Sequence, residues 1–158
     1  MMVEKLVEAA VVAKVAAIRF PLPGAQVTGF WQETPMGVPR WREGKPPALV
    51  EVVAVTRSYE TFTSAKAQLR VTVTLTVSRN MFPTGAELEA FAAPLLDLMQ
   101  GWQRDIGTVK ADFTLTDEDG APLFTPHGAR LEGDSVTTVA DESSWIIQQT
   151  LTLRGVIQ

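Results

Sequence analysis

The chain contains no cysteine and only one histidine, His127, in 158 residues. Without thiols there is no disulfide framework, thiolate nucleophile or Cys-ligated zinc. One imidazole makes His-rich metal centres and Ser-His-Asp triads hard to assemble. Positive charge is scarce too: 14 Lys and Arg oppose 18 Asp and Glu, for a net charge of −4. With a pI near 5.0, that balance argues against a general grip on nucleic acid, which needs a surplus of cations to displace phosphate counterions. No apolar run reaches the ~18–20 residues that cross a bilayer. Residues 1–8 lack the basic start of a signal peptide, and Glu4 and Glu8 interrupt them. What is present, 46% hydrophobic and 20% charged residues, is the composition of an ordinary globular chain, and the length suits one domain.

Periodicity predicts α+β structure. Over residues 3–17, Val3, Leu6, Val7 and Ala10 fall at i, i+3, i+4 and i+7, with Glu4, Lys5, Glu8 and Lys14 on other faces. Pro21 and Pro23 end that helix, since proline has no amide hydrogen and disfavours helix in the residue before it. Residues 20–48 form a Pro/Gly-rich arm holding six of the 10 prolines. A ragged hairpin is expected there, residues 27–33 against 38–42, around the Thr34-Pro35-Met36-Gly37 turn. Phe30, Trp31 and Trp41, with Arg40 and Arg42, either cover the edge of the core or anchor the arm on another subunit. Residues 49–55 read as a central strand and 57–65 as a polar loop. Along 68–78, Leu69, Val71, Val73, Leu75 and Val77 alternate with Arg70, Thr72, Thr74 and Thr76, so one face is buried. The threonine face is either solvated or covered by a partner. A second helix follows a capping box at Thr84 to Glu87, with Leu88, Phe91, Ala92, Leu95, Met99 and Trp102 on one side. Pro94 should kink or divide it. Residues 109–115 alternate like a strand, Asp117-Glu118-Asp119-Gly120 turns it into 121–125, and 145–156 give a closing strand. The expected architecture is a mixed, mostly antiparallel sheet with two helices on one face.

Catalytic motifs are sparse. Gly133-Asp134-Ser135-Val136 matches the short nucleophile motif of GDS-type esterases, but that chemistry needs a histidine after the serine, and His127 precedes it. Pro126-His127-Gly128 reads as a loop. Asp117 and Asp119 resemble a fragment of a calcium loop without the closing glutamate. No phosphate-binding glycine loop, G-x-S-x-G or His-Glu-x-x-His occurs. No catalytic, cofactor or metal residue is therefore assigned. Half of the carboxylates fall between Asp105 and Glu142, opposed by Lys110 and Arg130 alone. Asp117, Glu118, Asp119 and Asp134 are the candidates for an acidic face.

The order helix, Pro/Gly-rich arm, two long strands, helix, hairpin and closing strand resembles the tail-terminator (tail-completion) proteins of tailed bacteriophages. The resembling segments are residues 3–17, 49–55, 68–78, 86–102 and 145–156. The resemblance lies in layout; the family has no catalytic motif to check. It implies a non-enzymatic virion protein at the neck of the tail, assembled in the cytoplasm of the bacterial host. Its subunits would form a homohexameric ring that stops growth of the tail tube and joins the tail to the head connector. The implied partners are further copies of the chain, the tube protein and connector proteins. DNA would be only a non-specific cargo, passing through a channel that the acidic face could line, and no membrane is involved. Two alternatives remain at this stage: a head-tail connector of the same particle, or a small acyl-thioester hydrolase with Asp97 or Glu89 as base.

Overall fold

The computed structural model describes residues 3–18, 25–29, 48–59, 66–78, 85–133, 136–141 and 144–158. Helix α1 (Val3–Ala16) opens the chain and β1 (Ala25–Gly29) follows. Then come β2 (Ala48–Tyr59), β3 (Lys66–Ser78), α2 (Gly85–Arg104), α3 (Ile106–Phe113), β4 (Leu115–Thr116), β5 (Pro122–Leu131), β6 (Val136–Asp141) and β7 (Ser144–Ile157). The class is α+β, in one domain around one core.

The seven strands form one sheet in the order β1-β2-β3-β7-β5-β4, with β6 also paired to β7. All pairings are antiparallel except β1 with β2. Strand β7 is the hub. It pairs with β3 from Ser144 to Val156 on one side. On the other side β6 takes its first half and β5 its second.

Alternation sets the buried face. Leu69, Val71, Val73 and Leu75 of β3 and Ile147, Leu151 and Leu153 of β7 pack with the helices in one core cluster. Strand β2 has strands on both sides, as a nearly continuous apolar run requires. It extends to Tyr59, so residues 57–59 are strand rather than loop. The expected partner of residues 27–33, at 38–42, lies outside the described residues, as does Thr84 of the capping box.

Among the described residues three helices, rather than the expected two, cover the sheet. In α1 the buried stripe is Val3, Val7, Val11 and Val15, with Glu4 and Glu8 buried beside it rather than facing solvent. In α2 all six residues of the expected stripe are buried. The helix passes through Pro94 undivided. Proline in a helix interior costs about 3 kcal/mol, and a stripe from Leu88 to Trp102 that buries both halves in one core offsets it. Residues 109–113 are helix, not strand. Asp105 alone separates α2 from α3 and caps the latter, its Oδ1 accepting from Gly107 N at 2.9 Å and its Oδ2 from Thr108 Oγ1 at 3.0 Å. Val109 and Phe113 are buried one helical turn apart, and Ala111 between them is exposed.

Candidate functional site

The face of the sheet opposite the helices gathers charge that no single segment carries. Register places Arg70 opposite Thr152, and Thr152 opposite Arg130 on its other side. Gln68 pairs with Arg154, which pairs with Gly128. Lys66 pairs with Val156. Lys66, Arg70, Arg130 and Arg154 are all exposed. Next to them His127 is the extra residue of a β-bulge, where the β5–β7 register shifts between Pro126 and Gly128. It is exposed and lies in a strand, not in a loop as its neighbours suggested.

One acid sits in this basic patch. The Glu132 carboxylate accepts from Arg70 through Oε2 and from Thr152 Oγ1 through Oε1, at 2.9 Å in the second case. These hydrogen bonds, first that from Arg70 and then that from Thr152, with the positive charge of Arg70 and Arg130, hold it below the usual carboxylate range. Two shallow depressions of about 470 and 450 Å³ meet at Arg154. The first is lined by Arg130, Glu132 and Thr152 among others, the second by Lys66, His127 and Gly155.

Further along the same face the surface turns to threonine. Thr72 and Thr150 face each other with hydroxyl oxygens 3.1 Å apart, and Gln148 donates to Thr74 Oγ1 at 3.3 Å. Thr74 and Thr76 are buried, at 7% and 5% exposure. The outer face is therefore not uniformly solvated.

Three of the four acidic candidates fall among the described residues. Asp117, Glu118 and Asp119 cluster at the tip between β4 and β5, all exposed. Asp117 Oδ1 accepts from Asp119 N and Ala121 N at 2.8 and 2.9 Å, and Gly120 takes φ 82°, closing the turn as expected. Asp134 and Ser135 lie outside the described residues, as do Phe30, Trp31, Arg40, Trp41 and Arg42 of the arm. Glu89 and Asp97, the bases a hydrolase would require, are exposed on α2. Among the described residues no group of three or more His, Asp or Glu is placed to hold a metal. No helix there is long and apolar enough to cross a membrane.

No protein-family model matches the chain, and no curated protein matches it either.

The basic patch escaped sequence reading because its members lie on three strands, between residues 66 and 154. Alternation did place Arg70 and Arg154 on the outward side of their strands, but only the strand order β3-β7-β5 brings Arg130 and Glu132 beside them.

Proposed function

We propose that the protein is a non-catalytic assembly subunit, a tail-terminator-like ring component that caps the head-proximal end of a phage tail tube. The observation that carries this reading is the exposed basic patch on the sheet face opposite the helices. Three helices bury one side, while the other presents exposed Lys66, Arg70, Arg130 and Arg154. That patch, with β1 and β4 at the ends of the strand order among the described residues, gives surfaces that a neighbouring subunit can cover. The element order, with a long strand pair between the first two helices and a closing strand beside β3, supports the same reading. A hydrolase is favoured less, because Glu89 and Asp97 both lie exposed on α2 rather than inside a pocket where a base would meet its substrate.

A ring subunit acts by geometry. A growing tube offers the same surface after each added layer, and elongation ends when a ring occupies that surface without regenerating it. Head-to-tail contacts that close on themselves generate such a ring. The test is deletion of the gene from the parent particle, followed by electron microscopy. Tails of uncontrolled length, or complete tails that fail to join heads, are expected. Normal infectious particles without the gene would overturn the reading, and a native mass corresponding to a twelve-fold ring would favour a connector instead.

A further inference from the structure

Strand β7 carries a glutamine in its core-facing row. Ile147, Leu151 and Leu153 of that row are buried in the core. Gln149 shares their side of the strand, stands opposite buried Val73, and is itself only 6% exposed. It sits where β7 changes partners: the β5 ladder ends at Leu131, opposite Leu151, and the β6 ladder begins at Val136, opposite Gln148. At this changeover a cleft of about 460 Å³ opens between the sheet and the C-terminal half of α2. Gln149 and Gly133 line it from the sheet, and Gln100, Gln103 and Arg104 from the helix, while Leu96 and Leu131 add apolar surface.

The polarity of each amide is fixed by its partner. Leu131 N can only donate, and it meets Gln103 Oε1 at 2.7 Å. Arg104 Nη2 can only donate, and it meets Gln100 Oε1 at 3.2 Å. With both oxygens engaged, what these two side chains offer a ligand is their NH2 groups. Gln149 is reversed: its Nε2 donates to Gly133 O at 3.4 Å, which leaves the amide oxygen as the group it offers. The Arg104 guanidinium has five N–H donors, more than its bond to Gln100 uses.

We propose that this cleft binds a carboxylate with an N–H donor on its α-carbon, the chemistry shared by the carboxy-terminus of a peptide and an acylated amino acid. The carboxylate accepts from Gln100, Gln103 and Arg104, whose planar amides and guanidinium match a planar anion. The ligand N–H donates to Gln149 Oε1, and the side chain on the same α-carbon packs on Leu96 and Leu131. This accounts for a buried amide in a row of aliphatic residues. A bond of 3.4 Å lies beyond the ~2.7–3.2 Å of a well-formed N–H···O bond, so holding Gly133 O is a weak reason to bury one. The amides are already oriented by bonds to Leu131 and Arg104, which lowers the cost of ordering them around a ligand. The proposal does not depend on the ring reading.

N-acetyl-leucine is the probe, titrated into the full chain labelled with nitrogen-15 while NMR follows the side-chain NH2 signals of Gln100 and Gln103. Saturable shifts of both are expected. N-acetyl-leucinamide lacks the carboxylate and 4-methylpentanoate lacks the N–H; each should bind at least about tenfold more weakly, the scale of a lost charge-assisted hydrogen bond. Arg104→Gln should weaken the probe by a similar factor. Gln149→Leu should weaken it several-fold yet melt no lower than wild type, because leucine suits a core-facing row. Circular dichroism verifies the fold of both variants. Glycyl-glycyl-leucine separates the two sources of the chemistry. Tighter binding than N-acetyl-leucine supports a peptide terminus as the ligand, and equal or weaker binding supports a small acid. Absence of saturable shifts at about 10 mM probe, weaker than millimolar affinity, would overturn the proposal, as would equal binding of the acid and its amide. So would a Gln149→Leu protein that melts well below wild type and binds the probe unchanged, since the amide would then serve only to hold Gly133.

Discussion

A methyl group added at Gly155 would lie 2.3 Å from the carbonyl oxygen of Thr125 and under 3 Å from two ring carbons of Phe124. The ring is fully buried and the carbonyl belongs to the neighbouring strand, so neither can withdraw cheaply. Gly155→Ala should therefore destabilise by about 2–3 kcal/mol, the range of an overpacked core. Chemical denaturation measures it; a loss below about 0.5 kcal/mol would mean that the bulge at His127 absorbs the methyl group. Glu8 presents the opposite problem. It is buried at 7% exposure, and its Oε2 has no hydrogen-bond partner among the described residues. Burial raises its pKa, with Lys5 pulling weakly the other way. A carboxyl whose pKa rises on folding favours the native state most when protonated, and that contribution disappears as pH climbs through the folded pKa. Glu8→Met should accordingly raise stability at neutral pH by about 1 kcal/mol, the scale of an unsatisfied buried group. The gain should shrink as pH falls from the raised folded pKa toward the ordinary glutamate value of 4.5 and level off below it. Thermal melts of both proteins across that range provide the check.

At the level of elements, Asp112 links the three helices. Its Oδ2 accepts from Trp102 Nε1 of α2 at 2.8 Å, and its Oδ1 lies 3.1 Å from Lys14 Nζ of α1, with the carboxylate side chain only 9% exposed. Trp102 also meets Phe113 of α3 edge-to-face, ring centroids 5.0 Å apart. Asp112→Ala leaves the indole N–H without its acceptor and should cost about 2 kcal/mol, while Lys14→Ala should cost well under 1, because the lysine end is half exposed. Equal losses in denaturation would show that the ion pair, not the indole bond, holds the junction. This junction is not legible in the sequence, because the alternation over residues 109–115 predicts a strand where α3 lies. Val109 and Phe113 fit an alternating pattern and a one-turn helical spacing equally well, and the deciding signal was local: Asp105 two and three residues before Gly107 and Thr108, in the position of a helix cap. The stripe of α2 and the alternation of β3 and β7 were legible, since each repeats over enough turns or residues to exclude the other period. Strand β6 and the parallel pairing of β1 with β2 carried no such repeat. Thr74 and Thr76 show the limit of alternation, which assigns a face but not what covers it.

On the scale of the whole molecule, chain order and spatial order disagree, and that hides the basic patch from any window of sequence. Residues 66 and 156 are partners across the β3–β7 ladder, so the site exists only once the sheet is complete. The same arrangement bears on how the protein is made. Strand β7 is the last of the described strands in sequence yet stands in the middle of the sheet, the seam between β2–β3 and β5–β4. A ribosome working at ~5–20 residues per second finishes β3 roughly 4–16 s before β7 follows. Through that interval the apolar row Leu69, Val71, Val73 and Leu75 waits beside an unpaired strand edge, the kind of surface that recruits chaperones or other nascent chains. Pairings so distant along the chain also belong to the slow, high-contact-order end of folding. The strand that unifies the finished sheet thus sets the length of the chain's most vulnerable period.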